Sequence, residues 1–241
     1  AWHLRVRFHG QPERLREEVW PKLQAALAEM SPTLGTVGAW RIQLDTYERE
    51  VDRYGGDAGI ELSEQVFYAD SQAVTEIINL LEQDDSSADE TWRLALAGMD
   101  RLLDDLRFDL AGKAEILKSA RAGFLAEFKA DDNLIDQLGE RYRKERKALE
   151  PLLDRTKQSE NNLAAGLEVF DRRSVQLRLI VEALRAAEGE KKLSKSLAEM
   201  ACSYLHMHAN RLLRSAHRTQ EMVIYDLLTR LYSSQLARQR Q

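Results

Sequence analysis

The chain has 241 residues, of which 44% are hydrophobic and 31% are charged, as in ordinary globular proteins. Its formal net charge is only -5, so the overall charge gives no reason to expect nucleic acid or a membrane surface as a partner. Cys202 is the one cysteine, which excludes an intrachain disulfide and favours a reducing compartment, the cytoplasm. The sequence has no apolar run long enough to predict a transmembrane helix and no signal peptide.

Two N-terminal segments alternate between apolar and polar residues, a pattern that is typical of half-buried strands. The first predicted strand covers residues 3–9 and places Arg5 and Arg7 on one cationic face. The second covers residues 37–46, and a helix is predicted between them from Pro12 to about residue 30. We therefore expect the two strands to be neighbours in one small sheet.

After residue 57 the pattern changes, because apolar residues recur at spacings of three and four. This spacing predicts six or seven helices between residues 58 and 238. The sequence thus predicts an α+β fold, in which a small N-terminal β-sheet (residues 1–57) is followed by a mostly α-helical body (residues 58–241) in a single domain. Because Ala1 already lies in a strand-like pattern, we expect that an N-terminal segment is missing.

Three groups of residues are candidates for chemistry, and the first is the arginine pair of the first strand. Arg5 and Arg7 are two residues apart, which places them roughly 7 Å apart on one face of a strand. Two guanidinium groups at that spacing could hold a carboxylate or an oxyanion. The alternative is a solvated strand face.

The second group is the charged stretch that ends in a Gly-Gly pair. Glu50 and Arg53 are three residues apart, so in a helical turn they would be neighbours and could form an ion pair. Gly55 and Gly56 allow a sharp turn with positive φ and the close approach of a ligand. A plain surface loop would explain the same residues.

The third group is the sequence LHMHANRLL, with His206 and His208. On a helix these two side chains point about 200° apart, so they cannot chelate one metal ion. His208 lies in the apolar stripe and is predicted to be a core histidine. His206 lies on the other face, where Asn210 could orient its ring, and it is either a candidate acid/base or a surface histidine. We predict no metal or cofactor site, because the fingerprints of phosphate, dinucleotide and nucleophile sites are missing from the sequence.

The segments HLRVRFHG, LDTYEREVDRYGG, FYADSQAV and LHMHANRLL, in this order, resemble the C-terminal elimination domain of lantibiotic dehydratases, which also occurs in thiopeptide-type bacteriocin biosynthesis proteins. The resemblance runs from about residue 3 to residue 231. It implies a lyase that removes glutamate from glutamylated serine or threonine of a ribosomally made precursor peptide, leaving dehydroalanine or dehydrobutyrine. The important residues of the family match here at Arg5 or Arg7, Glu50, Arg53 and His206.

The resemblance also implies partners. These are the precursor peptide, with its leader and its glutamylated core, and an enzyme that uses glutamyl-tRNA to glutamylate it. No direct contact with nucleic acid and no transmembrane segment are expected, and a homo-oligomer stays open.

Two alternative functions stay open. One is a thiopeptide pyridine synthase, which shares the fold and joins two dehydroalanines in a formal cycloaddition. The other is a non-catalytic module that binds the leader peptide along an exposed strand edge. The retained set of Arg5, Arg7, Glu50, Arg53 and His206 favours elimination.

Overall fold

Helices dominate the structure, a computed structural model that describes residues 5–36, 42–83, 88–213 and 215–240. In these residues the α-helices are α1 (Pro12–Arg14), α2 (Trp20–Thr36), α3 (Gly56–Gln83), α4 (Ala88–Asp105), α5 (Leu110–Glu127), α6 (Asp132–Leu153), α7 (Ala164–Gly189), α8 (Leu197–Leu212) and α9 (His217–Gln239). A π-helical segment joins α1 to α2, and two 3-10 helices cover Val51–Tyr54 and Arg155–Glu160. The predicted helix that begins at Pro12 and the six or seven helices after residue 57 are confirmed.

The predicted α+β class is wrong, because the described residues contain no strand and the fold is all-α. Residues 5–9 and 42–46, the described parts of the two predicted strands, are irregular; the other parts of those predictions, residues 3–4 and 37–41, lie outside the described residues. A strand requires a ladder of hydrogen bonds to a neighbour, and alternation alone does not supply one. The apolar side chains of the alternation, including Phe8 and Leu44, are exposed rather than buried against a core.

The chain divides into two compact units, Ala1–Arg49 and Glu50–Gln241. The first contains α1 and α2, and the second contains α3 to α9. This boundary precedes the predicted division after residue 57. The single elimination-type domain stays a prediction.

Helix α8 is the central element of the second unit, since it contacts α3, α4, α5, α7 and α9. Its buried residues are Leu197, Met200, Ala201, Tyr204, Leu205, His208, Ala209 and Leu212. Close packing on five neighbouring helices fixes the backbone of α8. The backbone in turn fixes where the polar residues on its less buried face, such as Ser203 and His206, are attached. No helix within the described ranges is long and apolar enough to span a membrane.

Side-chain caps determine where three of these helices begin. Asp109 caps α5 by accepting a hydrogen bond from Gly112 N, and Asp131 caps α6 by accepting one from Leu134 N. Ser196 and Glu199 form a reciprocal capping box at the start of α8. Each cap satisfies backbone N–H groups that have no partner inside the helix.

Candidate functional site

Arg53 is held between an acid of its own turn and a hydroxyl of α8. Its Nη1 donates to Glu50 Oε2 at 3.1 Å, as the sequence spacing predicted. Its Nε donates to Ser203 Oγ at 3.2 Å, a contact between residues 150 positions apart that no local pattern could reveal. The Arg53 side chain keeps 43% exposure, so the guanidinium is directed by two acceptors and still reaches solvent.

The turn that carries Arg53 depends on its two glycines. Gly55 and Gly56 have φ values of 84° and 83°, a region that side chains with a Cβ rarely adopt. A Cβ at Gly55 would also lie 2.8 Å from Met200 Sδ of α8. Gly55 O accepts a hydrogen bond from Ser194 N at 3.0 Å, just before α8 begins. The turn is therefore fixed against the start of α8.

Tyr54 anchors the same turn from the inside. Its buried ring stacks on Tyr204 of α8 with 6.0 Å between centroids and meets Phe67 of α3 edge-on at 4.9 Å. The Tyr204 hydroxyl lies 2.7 Å from Ser63 Oγ, and burial raises the pKa of Tyr204. Tyr204 therefore stays neutral in the core. Through Tyr204 and Phe67, the Tyr54 ring holds the turn against α8 and α3.

His206 of α8 contacts Glu221 and Asn210, and Arg218 Nη1 lies 3.4 Å from its Nδ1. Its Nδ1 is 2.9 Å and 3.0 Å from the two carboxylate oxygens of Glu221 on α9. Its Nε2 is 2.9 Å from Nδ2 of Asn210, one turn further along α8, so the predicted contact with Asn210 is confirmed. The side chain is 24% exposed, which leaves a path from the imidazole to solvent.

Glu221 is the residue of this site that the sequence analysis missed. It is fully buried, and its Oε1 accepts a hydrogen bond from the Tyr225 hydroxyl at 2.7 Å. It occupies the apolar stripe of α9, four residues before Tyr225 and seven before Leu228. A carboxylate in an apolar stripe is a signal that could have identified it, since buried acids require partners.

His208 lies in the core, as its place in the apolar stripe predicted. It has no exposed surface, and its ring meets Phe170 of α7 with 5.7 Å between centroids. Its Nδ1 is 2.8 Å from Asp70 Oδ1, whereas its buried Nε2 makes no hydrogen bond within the described residues. The two histidines of LHMHANRLL therefore have different surroundings and do not share a ligand.

The Asp70 carboxylate contacts three side chains of the second unit, one histidine and two arginines. Besides His208 it accepts hydrogen bonds from Arg173 at 2.8 Å and from Arg211 at 3.0 Å. Burial alone would raise the pKa of Asp70, but its contacts with His208, Arg211 and Arg173 outweigh burial and hold that pKa well below its usual range. Asp70, His208 and Arg173 are buried and Arg211 is partly buried, so this cluster is part of the scaffold behind the exposed face of α8.

The structure places the Arg53 side chain against Ser203, on the face of α8 that also carries His206. Ser203, which binds Arg53, is three residues before His206, and side chains at this spacing are neighbours on a helix surface. Between them they present a directed cation and a histidine held by a carboxylate. Within the described residues no group of His, Cys, Asp and Glu side chains is arranged to hold a metal ion.

Arg5 and Arg7 belong to the other unit, Ala1–Arg49. Both are exposed, and the guanidinium carbon of Arg7 lies 4.7 Å from the centroid of the Tyr47 ring. This is a cation–π contact within that unit. The participation of Arg5 or Arg7 in a site with Arg53 stays a prediction.

Comparison with known proteins identifies the family. The model of the lantibiotic biosynthesis dehydratase C-terminal family matches residues 1–232. The chain is also similar to the subtilin biosynthesis protein SpaB of Bacillus subtilis, at 28% identity over 141 residues that cover 56% of this chain and 13% of SpaB. The chain thus matches a small part of the length of that relative, and no solved structure matches the chain. On the match over residues 1–232, the chain belongs to the lantibiotic biosynthesis dehydratase C-terminal family.

Proposed function

We propose that this protein is a lyase that eliminates glutamate from glutamylated serine or threonine of a ribosomally made precursor peptide. The product would be dehydroalanine or dehydrobutyrine, in lantibiotic or thiopeptide biosynthesis. A separate enzyme would glutamylate the peptide with glutamyl-tRNA, so this chain itself need not contact nucleic acid. The observation that carries the proposal is the contact of Arg53 with Ser203 of α8, three residues before His206, in a member of this family.

The proposed step balances as a β-elimination. His206 removes the α-proton of the glutamylated residue, and the electron pair of the Cα–H bond forms the Cα–Cβ double bond. The Cβ–O bond then breaks, and glutamate leaves with its side-chain carboxylate as an anion. His206 takes up the proton, and the electron pair of the broken Cβ–O bond leaves with glutamate. The step therefore requires no oxidant, reductant or metal.

Arg53 suits the negative charge that this step creates. An enolate forms at the peptide carbonyl and a carboxylate forms on the leaving glutamate, and a fixed guanidinium stabilises either one. Glu50 and Ser203 bind Nη1 and Nε and so fix the plane of the group. Nη2 takes part in neither of these bonds and is the atom we assign to the substrate.

The test compares the products from two synthetic peptides. Mass spectrometry follows a peptide with one glutamylated serine and a peptide with two dehydroalanines, each incubated with the wild-type protein. We expect the first peptide to lose glutamate and the second to stay unchanged. Ring formation in the second peptide, with the glutamyl ester of the first intact, would establish the pyridine synthase instead.

Leader binding without any chemistry is the remaining alternative. Fluorescence anisotropy of a labelled leader peptide measures it separately from the mass change. Tight leader binding with both test peptides chemically unchanged would mean that the chain is a binding module, and the elimination proposal would fail.

A further inference from the structure

Glu221 is built into the core of the second unit as a fixed acceptor. Its side chain has no exposed surface, although it comes from the first turns of α9. Both of its oxygens face the same atom, His206 Nδ1, at 2.9 Å and 3.0 Å. A buried carboxylate that directs both oxygens at one ring nitrogen strongly restricts the orientation of that ring.

The groups around Glu221 hold the carboxylate in place. Tyr225 donates its hydroxyl hydrogen to Oε1 at 2.7 Å, and Arg218 Nη1 lies 3.5 Å from Oε2. Burial and the charge of Glu221 raise the pKa of Tyr225 well above its usual range, so Tyr225 remains a donor. Arg218 in turn is paired with Glu127 of α5. The Glu221 carboxylate thus accepts hydrogen bonds from its neighbours and cannot donate one.

These contacts select one form of neutral His206. An ionised carboxylate can only accept, so the proton of the imidazole must be on Nδ1. The second contact agrees with this choice, because Asn210 Nδ2 can donate to Nε2 only where Nε2 carries a lone pair. Arg218 Nη1 can only donate and also lies 3.4 Å from Nδ1, but this contact is longer than the two carboxylate contacts, and Nη1 also faces Glu221 Oε2. The shorter contacts, with Glu221 and Asn210, both favour the Nδ1–H form.

We propose that Glu221 is a positioning residue that keeps neutral His206 in the Nδ1–H form, so that Nε2 is the atom that accepts the substrate proton. Asn210 occupies Nε2 in the free protein and gives up this contact when the substrate approaches. The tautomer itself is independent of the proposed function, whereas its catalytic role rests on the proposed glutamate elimination. Glu221 acts through His206 and does not contact the substrate.

Nitrogen NMR of the wild-type protein tests the tautomer directly. With histidine labelled at both ring nitrogens, the His206 signals are assigned by their loss in His206→Asn. We expect a protonated Nδ1 and an unprotonated Nε2 in neutral His206. A proton found on Nε2 instead would overturn the proposal, and this measurement needs no core variant that must fold.

The kinetic arm uses Glu221→Gln with Tyr225→Phe as the matched control. Glu221→Gln keeps the size of the side chain but can also donate, so we expect the Nδ1–H preference to disappear and the rate of glutamate loss to fall by about a hundredfold or more, with KM little changed. Tyr225→Phe leaves the carboxylate in place, so the Nδ1–H form should persist and the rate should fall by less. Unchanged tautomer and rate in Glu221→Gln would refute a positioning role.

Two further outcomes separate this proposal from the proposed function. The double variant His206→Ala with Glu221→Gln should be no slower than His206→Ala alone, since Glu221 acts only through His206. Additive losses would contradict this dependence. If the wild-type protein shows the Nδ1–H form but leaves glutamylated peptides intact, the elimination function fails while the tautomer assignment stands.

Discussion

In the proposed site, the orientation of the Arg53 guanidinium matters as well as its charge. Glu50 and Ser203 each bind a different nitrogen of the guanidinium. Arg53→Lys keeps the charge but cannot make both bonds, so we expect it to lose nearly as much activity as Arg53→Ala, on the order of a hundredfold. Glu50→Gln should cost less, because the second acceptor remains. Single-turnover rates of glutamate loss measure all three.

An exposed arginine of α7 provides the control for these variants. Arg178→Ala removes the same charge from a solvent-facing position and should leave the rate at the wild-type level. If Arg178→Ala slows the reaction as much as Arg53→Lys does, the effect comes from the overall charge, and the directed contact is not responsible.

His208 should matter for stability and not for the reaction. Truncation to alanine leaves a cavity beside Phe170 and takes away one partner of Asp70. We expect His208→Ala to lower the free energy of unfolding by roughly 2–5 kcal/mol. Urea unfolding measures this loss, and the rate per folded molecule should stay near that of the wild-type protein. A folded His208→Ala without activity would reverse the roles assigned to the two histidines.

Residue spacing predicted the contacts of this site that lie within one element, but not the contacts between elements. Glu50 and Arg53 are three residues apart, and the division of His206 from His208 follows from the helical period. The contact of Arg53 with Ser203 and that of His206 with Glu221 join separate elements. Such contacts depend on how helices pack against each other, which residue spacing does not determine.

At the scale of elements, the Gly-Gly turn links the 3-10 helix of Arg53 to α8. In Gly55→Ala the methyl group meets Met200 and the backbone keeps an unfavourable φ. We expect about 1–2 kcal/mol of destabilisation and a larger proportional loss of activity, because the Arg53 guanidinium shifts. Thermal unfolding and single-turnover kinetics measure the two effects.

Gly123→Ala is the matched control for this change. Gly123 lies in α5, where an added Cβ would meet no atom of the described residues within 4 Å apart from the backbone of its own helix. Alanine favours a helix over glycine by about 1 kcal/mol, so this variant should be slightly more stable and fully active. A Gly55→Ala protein that behaves like Gly123→Ala would mean that the turn does not position Arg53.

The helices of the second unit could be predicted from the sequence, whereas the structure of the two alternating N-terminal segments could not. The helices of the second unit were predicted because buried faces repeat at spacings of three and four over many turns. The two strands were predicted from alternation over a few residues each, and the structure has irregular segments in their described parts. Short alternation does not specify a pairing partner, so it is weaker support for an element than a long helical repeat.

At the scale of the whole unit Glu50–Gln241, the buried Asp70 and the partly buried Asp105 should give opposite dependences of stability on pH. The pKa of Asp70 is held below its usual value, so its stabilising contribution is complete at neutral pH and is lost as the pH falls below about 4. Burial raises the pKa of Asp105, although Arg173 partly opposes this. The contribution of Asp105 is therefore present in acid and is lost as the pH rises through its raised pKa.

Asparagine variants separate the two acids. At pH 7, Asp70→Asn should cost about 3–5 kcal/mol because Arg173 and Arg211 lose their shared counter-charge. Asp105→Asn should be much closer to neutral, since it replaces a carboxylate that burial disfavours. Unfolding in urea between pH 3 and pH 7 gives both profiles. Equal losses in the two variants at neutral pH would contradict the assigned roles.

If Arg53 and His206 together carry glutamate elimination, removal of either side chain must slow the loss of glutamate from the peptide. A pre-glutamylated peptide is mixed with excess wild-type protein, Arg53→Ala or His206→Ala, and the loss of glutamate is followed by mass over time. With helical content unchanged in circular dichroism, we predict that the wild-type protein converts the peptide and that each variant is at least about a hundredfold slower. Conversion at the wild-type rate by both variants would mean that neither Arg53 nor His206 takes part in the elimination.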